Sequence, residues 1–316
     1  MRVPQKGSFG KAEPMGQSLI LGLGEVLWDC FPDEERPGGA PANFSYHAAQ
    51  LGYQGGVLSR VGMDERGEKL VRWLAEKGVR TDWIQRDPDH PTGTVTVDVS
   101  RPDHPQFIIH ENVAWDFMEA SPEWRAAVGS AVAVCFGTLA QRNPHSRETI
   151  QGLLAGERSK RLIVYDVNLR QKFYSREIVE NSLRLASLVK LNEEEAHVLH
   201  HLLEFPGTTE LAWCQYLLEH FGVEGVCVTR GARGCLVVDQ TGWAAAPGIE
   251  VRVADTVGAG DAFTAGWVAA RLRGWDVAKQ AHFANATGAL VASLPGAMPP
   301  VGEEYRQLLE QFGDKG

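Results

Sequence analysis

Apolar residues along this chain fall into two patterns, and the difference between them predicts the architecture. Runs such as SLILGLGEVLW, GVLSRVG, AVAVCFG, RLIVYDVN and GVCVTRG carry no polar alternation, which suits strands covered by helices on both faces. Segments of helical period lie between many of them. Pro41 and Gly52 bracket PANFSYHAAQLG, with Phe44, Ala48 and Leu51 on one face, and Asp64 and Gly78 bracket ERGEKLVRWLAEKG. Strand and helix in repetition predict an α/β fold of three layers, a mostly parallel central sheet flanked by helices.

The stretch GTVTVDVS departs from this pattern. Val95, Val97 and Val99 alternate with Thr94, Thr96 and Asp98, and QFIIHEN follows after the turn-like RPDHP, which together predict a half-exposed antiparallel hairpin. A half-polar hairpin does not fit inside a parallel sheet, so it is expected to project as a small β-sheet lid. Near the C-terminus GCLVVDQTG and WAAAPG predict a second antiparallel element at the sheet edge. With no internal repeat or long linker, a single domain over 19–316 is expected, with lid segments at 29–38 and 92–115. Residues 1–18 hold no apolar segment before Leu19 and read as a frayed extension rather than a secretory signal.

Composition narrows the function classes. The 316 residues carry a net charge of -9, which argues against a nucleic-acid binder with its basic face. No apolar run approaches the ~20 residues of a membrane-spanning helix. The five cysteines (Cys30, Cys135, Cys214, Cys227, Cys235) form no C-x-x-C pair and read as reduced thiols in a cytoplasmic protein. His197 and His200 share a helical spacing, but no further ligands stand at readable distances, so a solvated face is the expectation.

The densest chemical signal is DTVGAGDAFTAGW, residues 255–267. Gly258, Ala259 and Gly260 precede a helix, where backbone N–H groups meet the positive end of the helix dipole and can hold phosphate oxygens. Asp261 falls in the first turn, within reach of a nucleophile that approaches such a phosphate. A plain glycine turn with an Asp cap is the competing reading. A second cluster, RPGGAPAN from Arg36 to Asn43, also opens a helix, and is ordinary punctuation when taken alone. Gly22-Leu23-Gly24-Glu25 lacks the third glycine of a dinucleotide fingerprint, which disfavours an oxidoreductase.

Together the two glycine clusters resemble the signatures of the ribokinase-like carbohydrate kinases, also called the phosphofructokinase B type. Gly38-Gly39 through Asn43 and Ser45, with Gly52 and Gly62, match the N-terminal signature. Asp255 through Asp261 with Ala265-Gly266 match the C-terminal one, more than 200 residues later. The resemblance runs from about Leu19 to Pro300 and implies ATP and magnesium as partners of a sugar acceptor. It makes Asp261 the catalytic base and the backbone of Gly258, Ala259 and Gly260 the anion hole. Asp29, Gly39, Asn43 and Arg170 become sugar contacts, although Arg170 suits an ordinary ion pair as well.

Asn192 and Glu195, in LVKLNEEEA, match the family's N-x-x-E motif for the magnesium and phosphate region, with Glu195 acting through water. An Asn cap on an acidic helix start explains the same residues. Thr229, Gly231 and Gly234 match the nucleotide loop, or a β-turn, and Asn285 matches a position near adenine, or a helix-packing residue. Asp255, Val257, Val291, Leu294 and Gly296 match a potassium site, but Pro300 stands where ribokinase offers a serine hydroxyl. Trp267 replaces a smaller aliphatic residue of the signature, a packing change.

GEVLWDCFPDE, HENVAWD and DVNLRQKFYS resemble bacterial fructokinases most, so fructose is the expected acceptor. A 2-keto-3-deoxygluconate kinase, a ribokinase, a nucleoside kinase and a catalytically silent sugar-binding regulator are the alternatives. Asn112 and Trp115 are candidate lid contacts to the sugar. An apolar lid face would favour a homodimer, as in ribokinase.

Overall fold

The computed structural model describes residues 18–98 and 106–313. The apolar runs become nine strands of one sheet: β1 (Leu19–Leu23), β4 (Gln54–Gly62), β5 (Ile84–Asp87), β8 (Ala133–Gly137), β9 (Leu162–Asp166), β10 (Leu188–Asn192), β11 (Gly225–Thr229), β12 (Cys235–Asp239) and β13 (Gly242–Ala246). Their order is β13-β12-β11-β10-β9-β8-β1-β4-β5. Pairing is parallel except where β11, β12 and β13 close one edge as antiparallel neighbours, as GCLVVDQTG and WAAAPG predict.

Helices cover both faces: α1 (Ala40–Gln50), α2 (Glu65–Glu76), α3 (Pro122–Ser130), α4 (Pro144–Leu154), α5 (Arg176–Leu185), α6 (Glu193–Leu203), α7 (Glu210–Phe221), α8 (Ala259–Leu272), α9 (Val277–Ala292) and α10 (Gly302–Gln311). Successive residues of β1 point to opposite layers, as strand geometry requires. Ile20 packs with Phe44, Phe263, Trp267 and Tyr305 on the side of α1, α8 and α10. Leu21 and Leu23 pack with Trp124, Ile150 and Leu183 on the side of α3, α4 and α5. Trp267 is 1% exposed and its Nε1 donates to Gln280 at 3.1 Å, so the bulky residue in the signature is a core anchor tying α8 to α9.

The structure departs from one sequence expectation. SLILGLGEVLW is not a single strand: the chain leaves the main sheet after Leu23, turns through Gly24-Glu25-Val26 and enters a second sheet as β2 (Leu27–Cys30). Val26, Leu27 and Trp28 are as buried there as the residues of β1, so hydrophobicity stays constant across the break and hides it. The second sheet has four strands in the order β3-β2-β6-β7, with β3 at Glu35–Gly38, β6 at Gly93–Asp98 and β7 at Gln106–Ile109. β6 and β7 form the expected antiparallel hairpin, and β2 joins it in parallel. Val99 and the RPDHP turn lie outside the described residues, as do residues 1–17 of the expected extension.

Candidate functional site

The parallel strands end together, and their carboxyl ends carry the polar groups. Asp166 closes β9, opposite Gly137 of β8 and Lys190 of β10, while Asn192 and Thr229 close β10 and β11 side by side. β1 lies between β8 and β4, so the strand order reverses there, and such switch points are where α/β sheets hold ligands. Helix α1 brings Gly39 and Asn43 to this edge. Helix α8 brings Gly258 to Asp261.

The start of α8 has the geometry its composition predicts. Gly258 caps it in the left-handed region at φ 78°, and the Ala262 N–H is taken up by the Gly258 carbonyl at 2.8 Å, leaving those of Gly260 and Asp261 without helical acceptors. Both positions around the cap are crowded, Gly258 by backbone and Gly260 by the end of a side chain. A Cβ on Gly258 would stand 2.6 Å from the Ala297 carbonyl oxygen, and one on Gly260 would stand 3.2 Å from Lys190 Nζ. Gly258→Ala is therefore expected to lower turnover by about tenfold or more and raise the KM for ATP, because a left-handed non-glycine residue costs about 1–3 kcal/mol before any clash is relieved. Steady-state kinetics with varied ATP checks this, and unchanged constants would remove the anion hole from the account.

Asn43 and Asp261 come from opposite ends of the sequence and meet: Asn43 Nδ2 donates to Asp261 Oδ2 at 2.7 Å. Asp261 is half-buried. Burial, then the charge of Asp166, pushes its carboxyl up to about 6, against the pull of the Asn43 hydrogen bond, Lys190 and Arg170. Burial likewise raises Asp29 to about 6, with Arg170 and Arg36 opposing. Arg170 is exposed, with one Nη on its neighbour's carbonyl, Leu169, at 3.1 Å. Its charge lowers the carboxyls of both Asp29 and Asp261.

The nucleotide candidates occupy the neighbouring strand ends. Asn192 and Glu195 form a capping box: Asn192 Oδ1 accepts from the Glu195 N–H at 2.9 Å, and Glu195 Oε2 accepts from the Asn192 N–H at 2.8 Å. Glu195 Oε1 accepts from the Leu169 N–H at 3.0 Å, which ties the Arg170 segment to α6. The cap reading of N-x-x-E is thus realised, with a carboxylate that faces the strand ends as well. Burial raises the Glu195 carboxyl despite Lys190. Gly231 and Gly234 both take positive φ in the loop after Thr229, and Arg233 pairs with Glu193 at the start of α6. Asn285 Nδ2 donates to the Pro247 carbonyl at 2.8 Å, so it ties α9 to the segment that follows β13.

Asp255, Val257, Val291, Leu294 and Gly296 lie on two segments laced together. The Asp255 carboxylate accepts from the Val257 N–H at 3.0 Å and the Gly296 N–H at 3.3 Å, and the Ala254 N–H donates to the Ala292 carbonyl at 2.9 Å. Pro300 is exposed.

Other candidates are not part of the site. Trp115 is 1% exposed in the core, with the Arg142 guanidinium 3.9 Å above its ring, so it is a packing residue rather than a sugar contact of the lid. Asn112 is exposed in a left-handed turn. His197 bonds the Glu193 carbonyl and His200 stacks on Trp213; no metal-binding cluster forms among the described residues. The cysteines are free, four of them buried.

Three charged residues were missed in the sequence. Lys190 Nζ donates to Asp166 Oδ1 at 3.0 Å, and Thr264 Oγ1 donates to Asp166 Oδ2 at 2.9 Å, so a buried ion pair underlies Asp261. Arg142 pairs with Asp116 and donates to the His110 carbonyl, fastening the chain that returns from the second sheet. The signal was present for two of them: a lysine inside LVKLN and an aspartate ending LIVYD interrupt runs that have no other charge.

With this geometry in view, the comparison with known proteins is decisive. Residues 19–303 match the pfkB family carbohydrate kinases as a whole. The chain belongs to that family. It is 30% identical to a fructokinase of Vibrio alginolyticus over 292 residues, 87% of this chain and 93% of that one. It is 26% identical to an aminoimidazole riboside kinase of Salmonella typhimurium over 292 residues, 87% and 89% of the two chains. Among solved structures it resembles an uncharacterized sugar kinase of Pyrococcus horikoshii in complex with ATP, at a TM-score of 0.77 and 29% identity over 92% of this chain and all of the other. This pfkB protein is a carbohydrate kinase of the three-layer α/β fold with a second small sheet. No described helix is long and apolar enough to cross a membrane.

Proposed function

We propose that this carbohydrate kinase transfers the γ-phosphate of ATP to a primary hydroxyl of fructose, giving fructose 6-phosphate. The observation that carries the reading is the bond from Asn43 to Asp261. It holds one carboxylate oxygen and leaves the other to accept a proton, at the mouth of a helix whose N–H groups are open to an anion. Asp261 removes the hydroxyl proton as the sugar oxygen attacks the γ-phosphorus; the bond to the bridging oxygen of ADP breaks, and the proton ends on Asp261. The backbone of Gly258, Ala259 and Gly260 stabilises the charge that develops on the transferred group.

Asp29, Gly39, Asn43 and Arg170 hold the sugar in this reading. Asn192, Glu195, Thr229, Gly231, Gly234 and Asn285 line the path of ATP. Magnesium, when bound, neutralises phosphate charge. Both Glu195 oxygens already accept a backbone N–H, which fits outer contact to a hydrated ion, the state magnesium prefers. A potassium ion is not part of the proposal, since the Asp255 carboxylate is engaged by two backbone N–H groups. The second sheet acts as the lid that shuts water out of the transfer, and Phe107 and Ile108, each 52% exposed on β7, form the apolar surface a homodimer through the lid would cover.

The fructose assignment draws on the Vibrio relative and is tested by an acceptor panel with ATP and magnesium. Fructose is expected to exceed ribose, adenosine and 2-keto-3-deoxygluconate in kcat/KM by about tenfold or more, the scale on which pockets separate similar substrates. A preference for ribose or adenosine overturns it. Sugar binding with no ADP release would mark a silent regulator instead.

A further inference from the structure

The turn from β1 into β2 leaves Glu25 at the carboxyl end of β1, where the strand order of the main sheet reverses. Gly39 packs against this turn so closely that a Cβ on it would stand 2.4 Å from the Glu25 carbonyl oxygen. The Glu25 side chain meets the backbone N–H of Ala40 at the start of α1, and the charges of Arg170 and Asp261 both reach it. It therefore stands beside Gly39, next to the helix that carries Asn43 to Asp261, although the reading of GEVLWDCFPDE gives it no role.

Glu25 is 3% exposed, and its Oε2 has no hydrogen-bond partner. A buried carboxylate oxygen without a donor is rare and costly. Asn43 presents the same feature: its Nδ2 is committed to Asp261 while its Oδ1 is buried and unpartnered. Two idle acceptors thus stand in one pocket, beside a base that must itself face a hydroxyl. A molecule rich in hydroxyl donors completes all three.

We propose that Glu25 is a specificity residue of the acceptor site: its unpartnered Oε2 receives a hydrogen bond from a hydroxyl of the sugar, and its carboxyl, with Asp29 and Asp261, turns away acceptors that carry a carboxylate. The inference rests on the assignment of Asp261 as base and of a neutral sugar as acceptor. Burial pushes Glu25 up to about 7, with Arg170 opposing and Asp261 adding to the rise, and Asp29 and Asp261 are raised as well. Three carboxyl groups already resist their own charge there, and Arg170 is the cation that reaches all three. A sugar acid would bring a fourth negative charge into the same space.

The test is steady-state kinetics of the full chain with fructose and 2-keto-3-deoxygluconate, before and after Glu25→Gln. The substitution keeps the shape and removes the charge. The KM for fructose should rise about fivefold, as exchange of a charged acceptor for a neutral one implies, while the KM for ATP moves less than about twofold. The ratio of kcat/KM for fructose to that for the acid should fall about tenfold or more. A wild-type enzyme that prefers the acid overturns the functional assignment itself. A wild-type enzyme that prefers fructose, with both the fructose KM and the ratio unmoved in Glu25→Gln, overturns the role of Glu25 alone. If that variant fails to fold, Glu25→Asp takes its place, which draws the charge back by one methylene: a raised fructose KM with discrimination intact supports the proposal, and an unchanged KM overturns it.

Discussion

Asp261→Asn is expected to lower turnover by about 10³-fold, within the usual range for removal of a general base, while the sugar and ATP still bind. The amide has the shape of the carboxylate and offers an oxygen to Asn43 Nδ2, which now donates at 2.7 Å, so the start of α8 keeps its position. What it lacks is the capacity to take a proton. The wild-type pH profile follows from the same group. Burial and Asp166 hold Asp261 at about 6, and the protonated form is inactive, so kcat at saturating sugar should be level above that pH and fall about tenfold per unit below it. The acid limb should be absent from the residual activity of Asp261→Asn.

Stability moves the opposite way. A carboxyl raised from 3.8 to about 6 contributes stability that is fully present below pH 3.8 and is lost as pH rises through about 6. The wild type therefore bears the cost of the charge at pH 7.5, and the variant should be more stable there by about 1–3 kcal/mol. ADP release, calorimetric binding and urea denaturation at pH 7.5 separate these effects. Turnover within tenfold of wild type would sink Asp261 as the base.

How far the sequence could be read depended on what kind of pattern each feature leaves. The central sheet was legible because strands buried on both faces leave unbroken apolar runs, and β6 because a strand with one wet face leaves alternation. The break between β1 and β2 was not legible, since both strands are buried and Glu25, the one charge between them, looks like an interruption rather than a boundary. Asp261 and its glycines were visible as a local motif. Asn43 was visible only through a family signature, because its bond to Asp261 spans 218 positions. Trp115 misled because an aromatic in a lid-proximal loop looks like a ligand platform, whereas the Arg142–Asp116 pair and the packing around it put the ring in the core. Lys190 and Asp166 show the limit most clearly. Each is a single charge in an apolar strand, and only the register of β9 against β10 makes them a pair.

That pair should be the most sensitive point of the fold. Lys190→Met is expected to cost about 3–5 kcal/mol, because removing one partner of a buried ion pair leaves the other charge uncompensated. Lys190 has side-chain exposure of 9% and Asp166 of 6%, so water cannot take over. Burial presses the ammonium to lose its proton, but Asp166, Glu195 and Asp261 outweigh it and hold Lys190 protonated, above its ordinary value. A lysine raised in this way contributes stability that is fully present below pH 10.5 and lost only above it, so its own titration adds no slope from pH 6 to 9, and the deficit in urea denaturation should grow with pH there as the carboxyls it no longer offsets lose their protons. The damage also reaches the chemistry. Without Lys190, only the Asn43 hydrogen bond and Arg170 oppose Asp166 at Asp261, and the acid limb of kcat should move above pH 6. Adding Asp166→Asn to Lys190→Met removes the orphaned charge and should recover a large part of the lost stability. A loss below about 1 kcal/mol in Lys190→Met would contradict the argument, since that is the size of an exposed pair, and so would a double variant no more stable than the single one.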